Sequence, residues 1–261
     1  MVVYTKESIR DSLIDIRARG WTRGGRQGNT GSVGNTLEDL LGVQENNLPL
    51  PNAAEWELKA QSGPETSLTT LFHMEPSPRT MRLVPKLLLP SYGWAHQQAG
   101  LRFPASERSF RQTISGRACS DRGFRVVLDI AQRRVCVSFD ATCVSTVHAD
   151  WLTNVELKVG NLRELNPQPY WGYDDLGHKA GTKLTNCFYT IADEKTEDGV
   201  KYFWYRRFFM LSGFSMNKFI TALGSGDIFV DFDARTHHNH GTKFRARAGY
   251  LPSLYDSADE F

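Results

Sequence analysis

Glu57 and Lys59 are the residues of this chain whose types and spacing most directly indicate chemistry. They lie in the run 56–59 (Trp-Glu-Leu-Lys), which alternates apolar and charged residues as a half-buried strand does. In an extended chain, residues i and i+2 share a face, so the carboxylate and the ammonium would be neighbours. A carboxylate that holds a divalent cation beside such a lysine is what metal-assisted phosphodiester hydrolysis requires. If the pair is catalytic, we expect both residues to be exposed, so that their loss would abolish cleavage and leave stability nearly unchanged. The alternative is a salt bridge on an exposed strand, worth ~0.2–1 kcal/mol.

Three polar residues upstream of this strand could complete such a site. Glu38 lies in a predicted short helix over 36–42, which a capping box opens at its first residue and a glycine ends. As an acid in the first turn of that helix, Glu38 could equally serve only to favour the helix dipole. Asn52 and Glu55 precede Glu57, and Glu55 would share a face with Glu57 if the strand began early.

The order of these residues resembles the MvaI/BcnI family of restriction endonucleases, which belong with MutH in the PD-(D/E)xK nuclease superfamily. In that family a glycine-flanked helix carries a glutamate, and an aspartate precedes a Glu-Leu-Lys strand by about five residues. The glutamate maps to Glu38, the strand motif to Glu57 and Lys59, and the aspartate to Asn52. The resemblance implies an α/β (α+β) fold, with a mixed β-sheet flanked by helices around a PD-(D/E)xK core of MutH type. It also implies a type II restriction endonuclease that hydrolyses double-stranded DNA at a short specific sequence.

The resemblance implies a role for each mapped residue. Glu57 and the residue at position 52 would hold Mg²⁺, for which Mn²⁺ could substitute, and Lys59 would stabilise the charge that develops on the phosphate. Asn52 departs from the pattern, because a neutral amide offers a carbonyl oxygen without the charge that holds a hard cation. Three interpretations stay open: the chain is an inactivated variant, it tolerates asparagine, or Glu55 or Glu38 supplies the missing carboxylate.

Two other functions compete with a type II enzyme. One is a MutH-like repair endonuclease that nicks a single strand, and the other is a DNA-binding module that has lost cleavage through Asn52. For the restriction enzyme, the expected partner is double-stranded DNA, the expected state is a monomer, and a cognate DNA methyltransferase would belong to the same system without binding to the chain.

Basic residues in three regions are candidates for DNA contacts. Arg23 and Arg26 lie in a glycine-rich loop, where they suit phosphates, although the loop could equally be a flexible connector. Lys179 and Lys183 are predicted phosphate contacts, with ordinary solvation of a turn as the alternative. His73 lies near the end of a predicted strand over 67–74 and could contact a base or be an ordinary surface or core histidine.

The segment 235–247 concentrates hydrogen-bond donors and contains no acidic residue. Arginine and lysine can bind guanine O6 and N7 in the major groove, and histidine can donate there too. A solvated basic surface loop is the alternative. The candidate base contacts are His237, His238, His240, Lys243 and Arg245.

Composition narrows the protein class without deciding the function. The chain has 261 residues, 40% hydrophobic and 11% aromatic, which fits a packed globular protein. No apolar run approaches the ~18 residues of a membrane span, and no signal pattern opens the chain, so we expect a cytoplasmic protein with no membrane partner. Its four cysteines show no CxxC spacing, which favours reduced core thiols. A formal net charge of +2 does not by itself indicate a nucleic-acid-binding protein.

Strands that alternate with helices predict a mixed sheet. We expect a single nuclease domain over 1–261, with a catalytic lobe over about 1–120 and a DNA-recognition lobe over about 121–261 around a DNA cleft. Helices are predicted over 6–19, after a Thr5 cap, and after Ser145 and Ser215. Extended segments are predicted at 67–74, 86–89, 124–130, 135–139, 184–192, 201–210 and 227–234, and prolines break any helix around 67–89. The pair 124–130 and 135–139 is a predicted hairpin, and 184–192 and 201–210 are predicted to pair around Asp198 and Gly199.

Overall fold

The fold is mixed α+β, as expected. A computed structural model describes residues 5–25, 31–43, 55–64, 66–162 and 164–261. Its α-helices are α1 (Lys6–Arg19), α2 (Ser32–Leu41), α3 (Ala149–Val159), α4 (Tyr173–Leu184) and α5 (Met216–Ser225). Its strands are β1 (Thr22–Arg23), β2 (Glu57–Ser62), β3 (Leu68–His73), β4 (Trp94–Ala95), β5 (Arg108–Ser115), β6 (Arg122–Asp129), β7 (Arg134–Val144), β8 (Tyr170–Gly172), β9 (Asn186–Glu197), β10 (Val200–Phe214), β11 (Ile228–Arg235), β12 (His238–Arg247) and β13 (Tyr255–Glu260).

The chain divides into two compact units, each assembled from separate segments. Unit 1 comprises Met1–Thr69, Gly177–Lys218 and Arg247–Phe261, and unit 2 comprises Thr70–Leu176 and Phe219–Ala246. The chain passes between the units more than once, whereas the lobes expected from the sequence meet at a single boundary. The assignment of catalysis and recognition to separate lobes stays a prediction.

Unit 1 contains the sheet that carries the Glu57 strand. Its strand order is β1-β10-β9-β2, and β13 also pairs with β10. The strand β2 runs parallel to β9, while the other pairs are antiparallel. The turn between β9 and β10 passes through Asp198 and Gly199, which have φ values of 50° and 77°. An Asp-Gly pair suits two consecutive left-handed residues, which explains why this hairpin was predictable from the sequence.

Apolar residues of α1, α2 and β2 form the core on one side of this sheet. The α1 residues Ile9, Leu13 and Ile16 are buried at helical spacing, after the Thr5 cap that the sequence predicts. Trp56 and Leu58 of the Glu57 strand belong to the same cluster. Because side chains alternate along a strand, this packing directs Glu57 and Lys59 to the other face of β2.

The helix that carries Glu38 begins earlier than predicted. It starts at Ser32, so the expected capping box at Thr36 is wrong. Thr36 is buried inside the helix, where its hydroxyl donates to Ser32 O at 2.7 Å and accepts from the Gly25 N–H at 3.0 Å. No acid lies in the first turn, so the helix-dipole reading of Glu38 loses its basis. The predicted end at Gly42 is confirmed, since this residue adopts a left-handed conformation with φ 70°.

Unit 2 contains two sheets, with strand orders β3-β12-β11-β5-β4 and β6-β7-β8. The predicted hairpin over 124–130 and 135–139 is confirmed as the pair β6 and β7. Aromatic rings fill the interior, as in the contacts of Phe244 with Phe72 and Trp171, whose ring centroids lie 5.0 and 5.1 Å away. These packed rings hold β3 against β12, the two strands that carry predicted recognition residues.

The predicted extended segment 86–89 is wrong, because Val84–Tyr92 forms a π-helix. The prolines around it had indicated a break. Pro85 instead lies at the start of the helix, where its missing N–H costs nothing, and Pro90 lies in the last turn before Gly93. Burial of Leu88 and Leu89 against the rest of unit 2 stabilises the helix despite these residues.

The cysteines match the expected reduced core thiols only in part. All four cysteines are free thiols, and Cys136 and Cys187 are buried as core thiols should be. Cys119 is half-buried and Cys143 is exposed, so the prediction of core thiols holds for two of the four. In the described segments, every helix is too short or too polar to cross a membrane.

Candidate active site

Glu57 and Lys59 lie at the start of β2, next to β9. Glu57 pairs in register with Cys187, and Lys59 with Tyr189. The Tyr189 hydroxyl donates to Ala248 O at 3.1 Å, which anchors β9. The central position of β9 between β2 and β10 makes this part of the sheet rigid. The two site residues are therefore held by backbone pairing, as a preorganised site requires.

Two ammonium groups meet the same oxygen of Glu57. Lys59 Nζ lies 3.0 Å from Glu57 Oε1, and Lys183 Nζ of α4 lies 3.5 Å from it. The exposed fractions of these side chains are 3% for Glu57, 9% for Lys59 and 26% for Lys183. The expectation that the pair lies exposed, so that its loss would leave stability nearly unchanged, is therefore wrong. Removal of one partner from a buried ion pair leaves an uncompensated charge.

The second oxygen of Glu57 has no hydrogen-bond partner in the part of the chain that the structure describes. Oε2 is buried and accepts no hydrogen bond within the described residues. A buried carboxylate oxygen without a donor is a suitable ligand for a hard cation such as Mg²⁺, which needs only one or two protein carboxylates. Among the residues that the structure describes, no group of three His, Cys, Asp or Glu side chains could hold a metal ion. Glu57 thus fits a site in which the ion takes its remaining ligands from water and substrate.

The charges around Glu57 keep Lys59 protonated. Burial by itself lowers the pKa of the Lys59 ammonium, but the attraction and hydrogen bond of Glu57, with Glu38, raise it above its ordinary value. Burial also raises the pKa of the Cys187 thiol to about 12, and Glu57 adds to that rise while Lys59 opposes it. Lys59 is therefore a permanent cation at neutral pH, and the thiol beside it is neutral.

The other predicted members of the site are placed to different degrees. Glu38 lies half-buried on α2, which packs on β2, and its charge reaches Lys59. Glu55 is exposed in the turn before β2. Asn52 lies outside the described residues. Roles for Glu38, Asn52 and Glu55 in holding a metal stay predictions.

The helix α4 contributes both predicted lysines. Lys179 and Lys183 are one turn apart, so they lie on the same side of the helix. The sequence predicts Lys183 as a phosphate contact, and in this structure Lys183 lies at the carboxylate of Glu57. Contacts of Lys179 and Lys183 with a phosphate stay predictions. No local pattern could reveal the contact of Lys183 with Glu57, because α4 and β2 are far apart in the sequence. Cys187 was likewise noted only as a thiol, although it lies beside Glu57.

The four predicted histidines line one pocket of unit 2. The pocket has a volume of about 670 Å³ and is lined by His73, His237, His238, His240, Glu75 and Arg82, among others. The rings of His238 and His240 are 4.1 Å apart and nearly perpendicular. Glu75 accepts a hydrogen bond from the Thr242 N–H at 2.8 Å, which links this pocket-lining residue to β12. Glu75 and Arg82 had not been singled out from the sequence.

Lys243 and Arg245 form a charged ladder with the neighbouring strand. Lys243 Nζ lies 3.1 Å from Asp233 Oδ2, and the guanidinium nitrogen Nη1 of Arg245 lies 3.3 Å from Asp231 Oδ2. Arg111 of β5 also contacts Asp233, at 2.5 Å. The segment 235–247 contains no acid, but β11 supplies two, so its cations are not the unopposed donors that the sequence suggested. We call these five residues the β11–β12 ladder. The alternation of the two aspartates along β11 was a sequence signal for it.

The loop arginines are described in part. Arg23 is exposed on β1, which pairs with β10, and Tyr202 is the β10 residue opposite Arg23. Its position on a short edge strand leaves the guanidinium accessible to a ligand. Arg26 lies outside the described residues. Contacts of both with DNA stay predictions.

Comparisons with known proteins agree with this architecture. The family model of the MvaI/BcnI restriction endonucleases matches residues 11–255. A solved structure described as a complex of restriction endonuclease MvaI with its cognate DNA substrate is 22% identical, covers 98% of this chain and 99% of that one, and has a TM-score of 0.76. A structure of MvaI in the absence of DNA is 21% identical, covers 100% and 99% of the two chains, and has a TM-score of 0.53. The curated proteins include no match.

At these identities the two MvaI structures show the fold, and they confirm the expected fold class. The family match spans nearly the whole chain, including Glu38, Glu57, Lys59 and the β11–β12 ladder. The chain belongs to the MvaI/BcnI restriction endonuclease family.

Proposed function

We propose that this chain is a metal-dependent type II restriction endonuclease that hydrolyses phosphodiester bonds of double-stranded DNA at a short specific sequence. The observation that carries the proposal is the buried Glu57 carboxylate, which meets two ammonium groups through Oε1 while Oε2 has no partner in the described part of the chain. A purely structural ion pair would have both oxygens satisfied. The oxygen without a described partner suits a metal ion, and the adjacent ammonium groups suit a phosphate.

The chemistry divides between the ion and the protein. Glu57 Oε2 and the residue at position 52 would hold Mg²⁺ or Mn²⁺, and the bound ion would polarise the scissile phosphate and lower the pKa of a bound water. Lys59 donates hydrogen bonds to the phosphate as negative charge develops on it. Because its pKa is raised, Lys59 acts as a permanent cation and not as a general base.

Recognition is assigned to unit 2. MvaI has been solved with its cognate DNA substrate, and its fold is shared by this chain. We infer that double-stranded DNA is also the ligand here. The β11–β12 ladder presents alternating carboxylates and cations, which can accept from cytosine N4 and donate to guanine O6 and N7. His73, His237, His238 and His240 surround a pocket that can admit the edge of a base pair.

The remaining cations are assigned to the DNA backbone. Lys179, Lys183, Arg23 and Arg26 would contact phosphates, which carry no sequence information and set register and affinity. We further propose that the protein acts as a monomer, and that a cognate DNA methyltransferase protects host sites without binding to it.

Asn52 leaves two alternatives. A MutH-like nickase would use the same Glu57 site on one strand, and a module that has lost cleavage would bind DNA without hydrolysing it. The second is favoured if position 52 must supply a charge, since an amide carbonyl holds a hard cation more weakly than a carboxylate does.

A supercoiled plasmid separates these outcomes. The protein is incubated with the plasmid and Mg²⁺ or Mn²⁺, with Glu57→Gln as the matched inactive control. Linear fragments with fixed ends are expected for the restriction enzyme. Nicked circles at one motif would indicate the nickase, and a retarded but uncut plasmid would indicate the binding module. Equal cleavage by wild type and Glu57→Gln would show that Glu57 is not part of the site.

A further inference from the structure

Lys183 gives the Glu57 site a second ammonium group that hydrolysis does not require. Its Nζ lies 3.5 Å from Glu57 Oε1, and the same oxygen already accepts from Lys59 at 3.0 Å. Oε2 is buried and has no partner within the described residues. In the free protein, two positive charges therefore lie beside the carboxylate that is proposed to hold the ion.

This arrangement opposes a divalent cation while both lysines stay in place. A like charge within ~4–6 Å repels a bound ion, and the repulsion is stronger in a buried site than in water. Glu38 is the other acid whose charge reaches Lys59. The two negative charges of Glu57 and Glu38 only equal the two positive charges of Lys59 and Lys183. The described groups of the site thus offer no net negative charge to the ion.

Only one of the two lysines is placed to leave the carboxylate. Lys59 is 9% exposed on a paired strand, where it shares a face with Glu57. Lys183 is 26% exposed in the last turn of α4 and reaches Glu57 through a flexible four-carbon chain. A phosphate that arrives at the site offers Lys183 another anionic partner at little conformational cost.

We propose that Lys183 is an electrostatic latch that couples metal binding to DNA binding. In the free protein, Lys183 holds Glu57 and lowers the affinity of the site for a divalent ion. When a DNA phosphate enters, Lys183 transfers to the phosphate. The carboxylate loses a competing cation, and the site gains a negative charge. By linkage, the ion then favours DNA binding to the same extent. This inference rests on the proposed function, because it needs Glu57 to hold the ion and DNA to supply the phosphate.

The first test titrates Mn²⁺ into the DNA-free protein by calorimetry. Lys183→Met should bind Mn²⁺ at least about tenfold more tightly than wild type, because a neighbouring positive charge is gone. The control Lys195→Met removes the same charge from a side chain that is 35% exposed and whose ammonium lies 2.9 Å from Glu197, and it should change Mn²⁺ affinity less than about twofold. Lys183→Arg keeps the charge and should bind Mn²⁺ as weakly as wild type. Glu57→Gln added to Lys183→Met should abolish the gain.

Unchanged or weaker Mn²⁺ affinity in Lys183→Met would overturn the latch, whether or not the wild type cuts plasmid DNA. A gain of the same size in Lys183→Arg would overturn it too, since the charge would not be the cause. Conversely, a wild type that leaves plasmid DNA uncut, with a Glu57-dependent gain in Lys183→Met, would reject the endonuclease and keep the ion competition.

The second test concerns transfer of Lys183 to DNA. Anisotropy of a labelled duplex without metal should show weaker binding by Lys183→Met and a salt dependence that is lower by about one counterion. Lys195→Met should leave that dependence unchanged. A salt dependence of Lys183→Met equal to that of wild type would show that Lys183 does not move to the phosphate.

Discussion

Two charged clusters of this protein, one in each unit, are built in different ways. At Glu57, two ammonium groups share one oxygen of a carboxylate that is 3% exposed, and the other oxygen has no partner among described residues. In the β11–β12 ladder, two aspartates that are 15% and 18% exposed each contact more than one cation. The first cluster is buried and incomplete, and the second is more accessible and internally paired.

The difference indicates what each cluster can do. Ligand binding releases the most free energy at an incomplete buried site, because electrostatic interactions are strong there and a buried polar atom still has no hydrogen-bond partner. A paired, accessible ladder must exchange its internal contacts for contacts with a ligand, so the net gain per contact is small and depends on which ligand groups are present. The first arrangement suits catalysis, and the second suits discrimination between bases.

The largest expected effect separates turnover from binding. Glu57→Gln should lower kcat about a thousandfold or more, because a metal ligand supplies several kcal/mol of transition-state stabilisation. The same acid-to-amide change in the ladder, Asp233→Asn, should raise KM and leave kcat within about threefold. Steady-state cleavage of an oligonucleotide duplex measures both. A kcat loss of similar size in the two variants would remove the distinction between the clusters.

The next effect concerns stability. Lys59→Met should lower the free energy of unfolding by about 2–3 kcal/mol, below the usual cost of breaking a buried ion pair because Lys183 remains 3.5 Å from Glu57. Lys243→Met should cost less than about 1 kcal/mol, because Asp231 and Asp233 keep their arginine partners. Urea unfolding at neutral pH measures both values. If Lys243→Met loses more stability than Lys59→Met, the β11–β12 ladder contributes more to stability than the Glu57 site does.

A third comparison separates base reading from phosphate contact. Arg245→Ala should cost about 1–3 kcal/mol on the cognate duplex and little on random DNA, because base edges differ along the duplex. Arg23→Ala should weaken binding to both duplexes and lower the salt dependence of binding by about one counterion, because phosphates are identical along every duplex. Competition binding over a range of salt measures both effects. Equal losses of cognate and random DNA in Arg245→Ala would assign the ladder to the backbone.

The missing charge at position 52 can be restored. Asn52→Asp should tighten Mg²⁺ binding and raise cleavage, each by about tenfold, because a second carboxylate holds the ion. Calorimetry and plasmid cleavage measure the two changes. If neither quantity changes, Glu55 or Glu38 supplies the ligand, and Glu55→Gln and Glu38→Gln then identify which one.

Local patterns made part of this site predictable. The alternation of Trp56, Glu57, Leu58 and Lys59 fixed both the strand and the face of each side chain, because strand periodicity depends on neighbouring residues only. Cap and turn residues similarly predicted α1 and the hairpin of β9 and β10. The predicted start of α2 failed because the Thr36 hydroxyl bonds to Ser32 inside the helix and does not cap it.

Contacts between distant segments could not be predicted. The approach of Lys183 to Glu57 depends on how α4 packs beside β2, and the neutralisation of Lys243 and Arg245 depends on the register between β11 and β12. Burial of Glu57 is also a tertiary property, which is why the sequence suggested an exposed pair. Sequence thus identified the residue types of the site, whereas partners and exposure required the fold.

The smallest expected effect is a pH dependence of the ladder. Burial raises the pKa of Asp233, but Arg111 and Lys243 outweigh it, so the pKa lies below its ordinary value. A carboxylate with a lowered folded pKa stabilises the fold above its unfolded pKa of about 3.9, and this contribution is lost as pH falls through the folded value. Asp233→Asn should therefore cost less than about 1 kcal/mol at pH 7, after allowance for solvent screening. Its difference from wild type in urea unfolding should shrink as pH falls below about 4. A difference that stays constant or grows in acid would mean that packing of the side chain, and not its charge, stabilises the ladder.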